Sequence, residues 1–174
     1  MDAEFEVSAF EIKTGKRVWK YESNVPEEDK ETFGGGLAYE GGRLFMSTGF
    51  GQIITLRADN GKELWRGNLP GPSRSSPTVG AGRVFAVTID NKTVAFDEES
   101  GKKLWIHSGI SESAGLLGGG SPALVGNTVI APYSSGELVA LRVTNGRMVW
   151  SDSLVAVRRT YTLSSVSHIR GHPV

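Results

Sequence analysis

Four tryptophans recur at nearly constant intervals along this 174-residue chain, and every tryptophan of the sequence belongs to the set. The intervals between them are 46, 40 and 45 residues. The segments that they end are TGKRVW (Trp19), NGKELW (Trp65), SGKKLW (Trp105) and NGRMVW (Trp150). Nine positions before each tryptophan stands a large apolar residue: Phe10, Leu56, Phe96 or Leu141. A fixed period of this length is the signature of a repeat architecture.

Each repeat ends in a predicted β-hairpin. Between the apolar residue and the tryptophan lies a turn in which glycine supplies the positive φ that a tight hairpin needs. The four turns are Thr14-Gly15, Asn60-Gly61, Ser100-Gly101 and Asn145-Gly146. Upstream, residues 36–48, 76–88 and 121–133 each predict two further strands around a Gly-rich or Gly-Asn turn. Four short strands per repeat is the size of one propeller blade.

The repeats predict an all-β fold, an arc of a β-propeller made of four-stranded antiparallel blades. We expect residues 1–174 to form one partial propeller domain, with a partial blade at about 2–19, complete blades at about 36–66, 76–106 and 121–151, and the start of another at 152–174. A side chain that recurs once per blade on the outermost strand can dock on the neighbouring sheet. Trp19, Trp65, Trp105 and Trp150 are therefore interpreted as structural residues of the repeat.

The ends of such an arc predict self-association. The strands of residues 2–19 would expose an edge and a blade face that a closed ring covers, and exposed edges pair with other chains. A second copy could pack its last blade beside them, and two arcs could close into a ring.

Composition excludes several classes of function. Nineteen Lys plus Arg balance nineteen Asp plus Glu, so the basic footprint of a nucleic-acid-binding protein is absent and no nucleic-acid partner is expected. No apolar run approaches the roughly 20 residues of a transmembrane helix. The sequence contains no cysteine, which excludes disulfides, thiol catalysis and thiolate metal sites in these residues and leaves the compartment open.

The sequence predicts no catalytic, cofactor or metal site. His107, His168 and His172 have no recognisable triad partner, and the last two have the spacing of a helical metal pair in a segment that does not read as helix. The acidic run at residues 27–31 is interrupted by Lys30 and reads as a solvated loop. The triple glycines at 34–36 and 118–120 do not precede helices, so they do not indicate phosphate binding.

The repeated motif, of the form VxALDxxTGxxxW, resembles the PQQ-like propeller repeat over nearly the whole chain. Two families share that repeat, the quinoprotein dehydrogenases and the BamB outer-membrane assembly lipoproteins. The segment from Gly115 to Leu154 is most similar to BamB of the α-proteobacterial type. This resemblance implies an eight-bladed ring and a periplasmic, non-enzymatic protein anchored to the outer membrane through a lipidated cysteine, a residue that this sequence does not contain. Quinoprotein dehydrogenases commonly carry a vicinal disulfide, so the absence of cysteine favours BamB.

The resemblance also implies a partner, the periplasmic domains of BamA. In BamB the loop that corresponds to residues 111–120 carries a Leu-x-Leu-Arg element that contacts BamA, and the next loop carries an acidic pair. The match here is partial, because glycines stand in place of the arginine, and a histidine and an arginine stand near the acidic positions. The predicted partner-binding residues are Leu116, Leu117, Gly118, Gly119, His168 and Arg170. In the alternative, both leucines cap the propeller core.

Two other functions stay open from the sequence. The chain could be a piece of a PQQ-dependent dehydrogenase whose cysteine pair and Ca²⁺ ligands lie in other blades. It could also be a sensor or structural propeller with an unknown ligand.

Overall fold

A computed structural model of the chain describes residues 6–23, 35–110 and 120–153. The described residues form one two-stranded and three four-stranded antiparallel sheets. The two-stranded sheet pairs β1 (Glu6–Phe10) with β2 (Arg17–Glu22). The first complete blade contains β3 (Gly35–Glu40), β4 (Arg43–Thr48), β5 (Gln52–Arg57) and β6 (Glu63–Asn68).

The next two blades repeat this arrangement. The second contains β7 (Thr78–Gly80), β8 (Arg83–Val87), β9 (Lys92–Asp97) and β10 (Lys103–Ser108). The third contains β11 (Ala123–Val125), β12 (Thr128–Pro132), β13 (Glu137–Arg142) and β14 (Met148–Ser153). Within each blade the strands pair in chain order. The predicted all-β arc of four-stranded antiparallel propeller blades is confirmed.

The first strands of the three blades lie together at the inner side of the arc. Strand β7 contacts both β3 and β11, while β6, β10 and β14 form the opposite edges of their sheets. The tryptophans lie on these outermost strands and on β2, which pairs with β1 as β6 pairs with β5.

The core consists of apolar layers between successive blades. Alternate residues of a strand point to opposite faces of its sheet, so each blade supplies side chains to two layers. Phe45 of β4 packs into a layer with Val84 and Phe96 of the second blade, whereas its neighbour Met46 packs in the opposite direction, into a layer with Val7 of β1. The third layer joins the second and third blades.

A β-bulge precedes the tryptophan in each hairpin. The register of the pairing shifts there, so that Phe10 pairs with Arg17 while Ala9 pairs with Trp19, and the residue between them is left without a partner in the ladder. The same shift occurs before the other three tryptophans. Bulges re-aim the side chains next to them. In the first three hairpins the bulge precedes an indole that points to the next blade. In all four hairpins the residue one position before the tryptophan is an exposed apolar one, namely Val18, Leu64, Leu104 or Val149.

Each joint between blades is a tryptophan seated on the hairpin glycine of the following blade. The indole Nε1–H of Trp65 donates to the backbone oxygen of Glu98 (3.0 Å), and a Cβ built on Gly101 would lie 2.5 Å from Cε3 of the same ring. The other two joints repeat the contact, with Trp19 on Ala58 and Gly61, and Trp105 on Val143 and Gly146. These glycines have φ of +68° to +71°. Only a residue without a Cβ accommodates both the turn and the ring.

Trp65→Ala should lower the free energy of unfolding by about 3 to 5 kcal/mol, because the ring is packed between Phe45 (6.2 Å between ring centroids) and Phe96 (6.4 Å). Trp150→Ala is the matched control, since Trp150 has the same place in its hairpin but is 45% exposed. Urea unfolding in dilute solution should show a clearly smaller loss for Trp150→Ala. Equal losses would contradict the interpretation.

Candidate partner-binding face

One end of the arc carries two kinds of connection, and we call this end the loop face. The turns from the second to the third strand of each blade lie here, at residues 49–51, 88–91 and 133–136. The connections from an outermost strand to the next blade begin and end here as well, at residues 69–77 and at 109–110 with 120–122. Binding residues concentrate in loops of this kind, held by a rigid scaffold.

Backbone hydrogen bonds join these connections to the strand ends and to each other. The donors and acceptors are Leu69 N–H to Gly51 C=O (2.9 Å), Ser73 N–H to Thr48 C=O (3.0 Å) and Ile89 N–H to Pro72 C=O (2.9 Å). Two serine hydroxyls also hold this connection: Ser47 Oγ of β4 donates to Ser75 C=O (2.6 Å), and Ser73 Oγ donates to Val87 C=O (2.8 Å). The connection between the first and second blades is therefore fixed along its length.

Asn91 fixes the point at which the longer connection leaves the second blade. Its side-chain Nδ2 donates to the backbone oxygen of Ile110 (2.6 Å), and its backbone oxygen accepts from Gly109 (2.8 Å). Its Oδ1 accepts from both the backbone and the hydroxyl of Ser134 in the next blade (2.8 Å each). The residue is buried and has φ of +59°, a region that asparagine tolerates better than most residues. One side chain thus ties together three segments of the loop face.

Tyr133 packs beneath this anchor. Its hydroxyl hydrogen-bonds Thr93 (2.8 Å), its ring is stacked on His107 (6.5 Å between centroids), and a Cβ on Gly109 would lie 2.4 Å from the ring. Burial raises the pKa of Tyr133 to about 12, and the hydrogen bond with Thr93 acts in the opposite sense. Burial also lowers the pKa of His107. The rings of His107 and Tyr133 therefore form an aromatic stack and serve as packing surfaces for each other.

Beside Asn91 the described surface carries two exposed isoleucines and one ion pair. Ile110 is 64% exposed and Ile89, two residues before Asn91, is 43% exposed. Asp90, the residue after Ile89, forms an ion pair with Lys92 and accepts a hydrogen bond from the hydroxyl of Thr88. Burial alone would raise the pKa of Asp90, but the bonds from Lys92 and Thr88 outweigh it and lower the pKa. An apolar patch beside a neutralised charge pair is suited to contact with another protein.

The predicted partner-binding residues lie outside the described part of the chain. Leu116, Leu117, Gly118 and Gly119 fall in residues 111–119, between the anchored Ile110 and the buried Gly120. His168 and Arg170 fall in residues 154–174, and the acidic run at 27–31 falls in residues 24–34. Their roles stay predictions.

The sequence analysis did not identify Asn91 as the residue that holds these segments together. Asn91 follows Asp90 in the short turn Ile-Asp-Asn-Lys, and an Asp-Asn pair between two β-prone runs is a recognisable turn signal. That signal predicts the turn and the positive φ. It does not predict the bonds to Ile110 and Ser134, because these depend on how the second and third blades meet.

The described residues hold no recognisable metal centre and no membrane span. Over residues 6–23, 35–110 and 120–153, no group of three or more His, Cys, Asp or Glu side chains is placed to hold a metal ion. Over the same ranges, no helix is long and apolar enough to cross a membrane.

Radial four-stranded blades joined by a tryptophan on a glycine hairpin define this chain as a propeller of the PQQ-like repeat class. The sequence profile of the family described as "Outer membrane protein assembly factor BamB" matches residues 3–174, and the chain belongs to that family.

Relatives of known sequence agree with this assignment. An uncharacterized protein of Rickettsia conorii is 32% identical over 153 residues, which are 87% of this chain and 36% of the relative. The outer membrane protein assembly factor BamB of Burkholderia pseudomallei is 26% identical over 173 residues, 96% of this chain and 42% of the relative. The chain spans between 36% and 45% of the length of the curated relatives that it matches.

The structural neighbours show the fold. The crystal structure of BamB from Moraxella catarrhalis matches with a TM-score of 0.78 at 24% identity, over 92% of this chain and 47% of that one. A europium-containing methanol dehydrogenase matches with a TM-score of 0.69 at 19% identity, over 86% of this chain and 38% of that one. The propeller is therefore common to assembly factors and dehydrogenases.

The stability of the protein should fall between pH 10 and pH 12 through Tyr133. A folded-state pKa near 12 means that the contribution of the protonated phenol is complete below pH 10 and is lost as the pH rises toward 12, because only the unfolded chain ionises in that interval. The loss is on the order of 2 to 3 kcal/mol. Urea unfolding of the parent and of Tyr133→Phe measures it. The variant, which cannot ionise there, should lose less stability, and identical pH profiles would contradict the prediction.

Proposed function

We propose that this chain is the partner-binding part of a non-enzymatic scaffold in outer-membrane protein assembly, docking on the periplasmic domains of BamA through the loop face. The observation that carries the proposal is the match of the BamB family over residues 3–174. The same assignment supports a periplasmic protein held at the outer membrane.

The described part of the loop face supports a binding role. Ile110 and Ile89 present apolar surface to solvent, and the backbone that carries them is held by the buried Asn91. A segment that starts from a fixed point loses less conformational freedom when it binds than one whose base is free. Leu116 and Leu117 follow Ile110 in the sequence, and we propose that they contribute to binding the partner together with Gly118, Gly119, His168 and Arg170.

Leu116→Asp combined with Leu117→Asp should weaken binding to the periplasmic domains of BamA by at least about 2 kcal/mol, since a few apolar anchors supply most of the affinity of an interface. The matched control is Leu64→Asp with Leu104→Asp. Both control leucines are exposed, and they lie at the bulges of β6 and β10, on the outer strands of the arc. Titration calorimetry measures affinity, and thermal melts check the fold.

Three outcomes separate the possibilities. Weaker binding with an unchanged melt, and normal binding by the control, supports the proposal. Unchanged binding with an unchanged melt removes the two leucines as the contact. A collapsed melt assigns the leucines to the core, because buried unpaired carboxylates are costly. In that case Ile110→Asp, at a residue already 64% exposed, tests the same face without burying a charge.

The dehydrogenase alternative rests on the fold that this chain shares with quinoprotein enzymes. It is distinguished by saturable binding of PQQ with Ca²⁺ in calorimetry, which a BamB scaffold does not require.

A further inference from the structure

The connection between the first and second blades carries an arginine that has no partner in the described part of the chain. Arg74 lies within residues 69–77, on the loop face. Its Nε is buried and has no hydrogen-bond partner among the described residues. None of the ion pairs between described residues includes Arg74. The guanidinium has therefore lost part of its hydration without gaining an acceptor in exchange.

The other basic side chains on the loop-face half of the first two blades are paired. Arg66 of β6 forms an ion pair with Glu63 (2.6 Å), and Lys92 at the start of β9 forms one with Asp90. Asp90 lies against the same connection, since a Cβ on Gly71 would be 3.2 Å from its Oδ1, but it is already engaged by the lysine. The unpaired guanidinium is thus an exception on this surface.

The backbone on both sides of Arg74 is fixed. Ser73 N–H donates to Thr48 C=O in the first blade (3.0 Å), and Ser75 C=O accepts from the hydroxyl of Ser47 (2.6 Å). Ser73 and Ser75 are buried, whereas Arg74 between them is partly exposed. The arginine side chain therefore starts from a rigid base, and its position costs little conformational freedom when a ligand binds.

The surroundings of Arg74 suit a single acidic group of a protein. Ile89, which is 43% exposed, donates its N–H to Pro72 C=O, two positions before the arginine (2.9 Å). Arginine next to apolar surface is typical of the residues that supply most of the affinity of a protein interface. A nucleic acid or an anionic lipid surface needs several unpaired cations. Lys92 is neutralised by Asp90, so the connection offers one free cation and matches one carboxylate.

We propose that Arg74 binds a carboxylate of the protein that docks on the loop face, an Asp or Glu side chain that enters next to Ile89. The inference rests on the function proposed above and adds the chemistry of one contact to it. A planar guanidinium can donate two parallel hydrogen bonds to a carboxylate. Because Nε is already buried, less water has to be removed when the ion pair forms. The site therefore favours an acidic partner residue over a neutral one.

Titration calorimetry of the protein at its natural length with the periplasmic domains of BamA tests the contact. Arg74→Gln should raise the dissociation constant at least about tenfold, because it removes the charge and keeps much of the side chain. Arg74→Lys should recover part of this loss, since it keeps the charge without the planar fork. Arg57→Gln is the matched control and should bind as the parent does. Arg57 is exposed at the end of β5, at the opposite end of the arc from the loop face.

Two results would overturn the inference while leaving the proposed function standing. The first is an affinity of Arg74→Gln equal to that of the parent, because the leucine variants then still test the loop face by themselves. The second is a melting temperature that falls in Arg74→Gln and is restored in Arg74→Lys. That result would show that a carboxylate of the same protein pairs with the arginine.

A parent that does not bind these domains contradicts the proposed function, and a second measurement then decides on Arg74 alone. Its buried Nε–H should exchange slowly enough to be observed in a proton–nitrogen NMR correlation spectrum, where Arg74→Gln identifies it by its disappearance. Titration with sodium acetate should shift this resonance saturably, and sodium chloride at the same ionic strength should shift it less. An equal response to the two salts, or no response to acetate, would overturn the assignment of a carboxylate site.

Discussion

The contact between an indole ring and a glycine in the next blade is the interaction on which the rest of the arc depends. Sheets that pack face to face through apolar side chains can slide, since dispersion and burial have little directionality. The bond from the indole N–H to a backbone oxygen, at 2.9 to 3.0 Å in three joints, has a direction and a length. Because the ring also occupies the position that a Cβ of the glycine would take, this contact sets the distance and the rotation between blades. The apolar layers then fill a space whose dimensions are fixed at its outer edge.

This constraint also explains how the loop face is held. Blades in fixed relative positions allow one side chain to bridge them, and Asn91 bonds both the departing connection at Ile110 and the turn of the following blade at Ser134. A small rotation of the third blade would break the second of these bonds. The geometry of the loop face is therefore a consequence of the joints between blades, and we propose that partner binding uses surface whose base is rigid for this reason.

The sequence predicted the parts of the fold that repeat locally. The hairpin glycines and the order of strands follow from turn chemistry and from a regular interval, both of which are visible in one repeat. The pairing of Trp65 with Gly101 was not predictable from the motif, because it joins one repeat to the next and the glycine already had a sufficient explanation in its turn. The bonds of Asn91 and the stack of His107 on Tyr133 were missed for the same reason. The predicted residues of the site, Leu116 and Leu117 among them, stand outside the described residues.

A double-mutant cycle between Trp65 and Gly101 tests the central claim most directly. Gly101→Ala in the parent adds a methyl group where the ring lies, in addition to the strain of alanine at φ +68°. In the Trp65→Ala background only the strain remains. Urea unfolding should therefore show that Gly101→Ala costs less in that background, by about 1 kcal/mol or more, a coupling typical of residues in contact. Losses that add to within about 0.5 kcal/mol would contradict the account, because they would show that the ring and the glycine do not constrain each other.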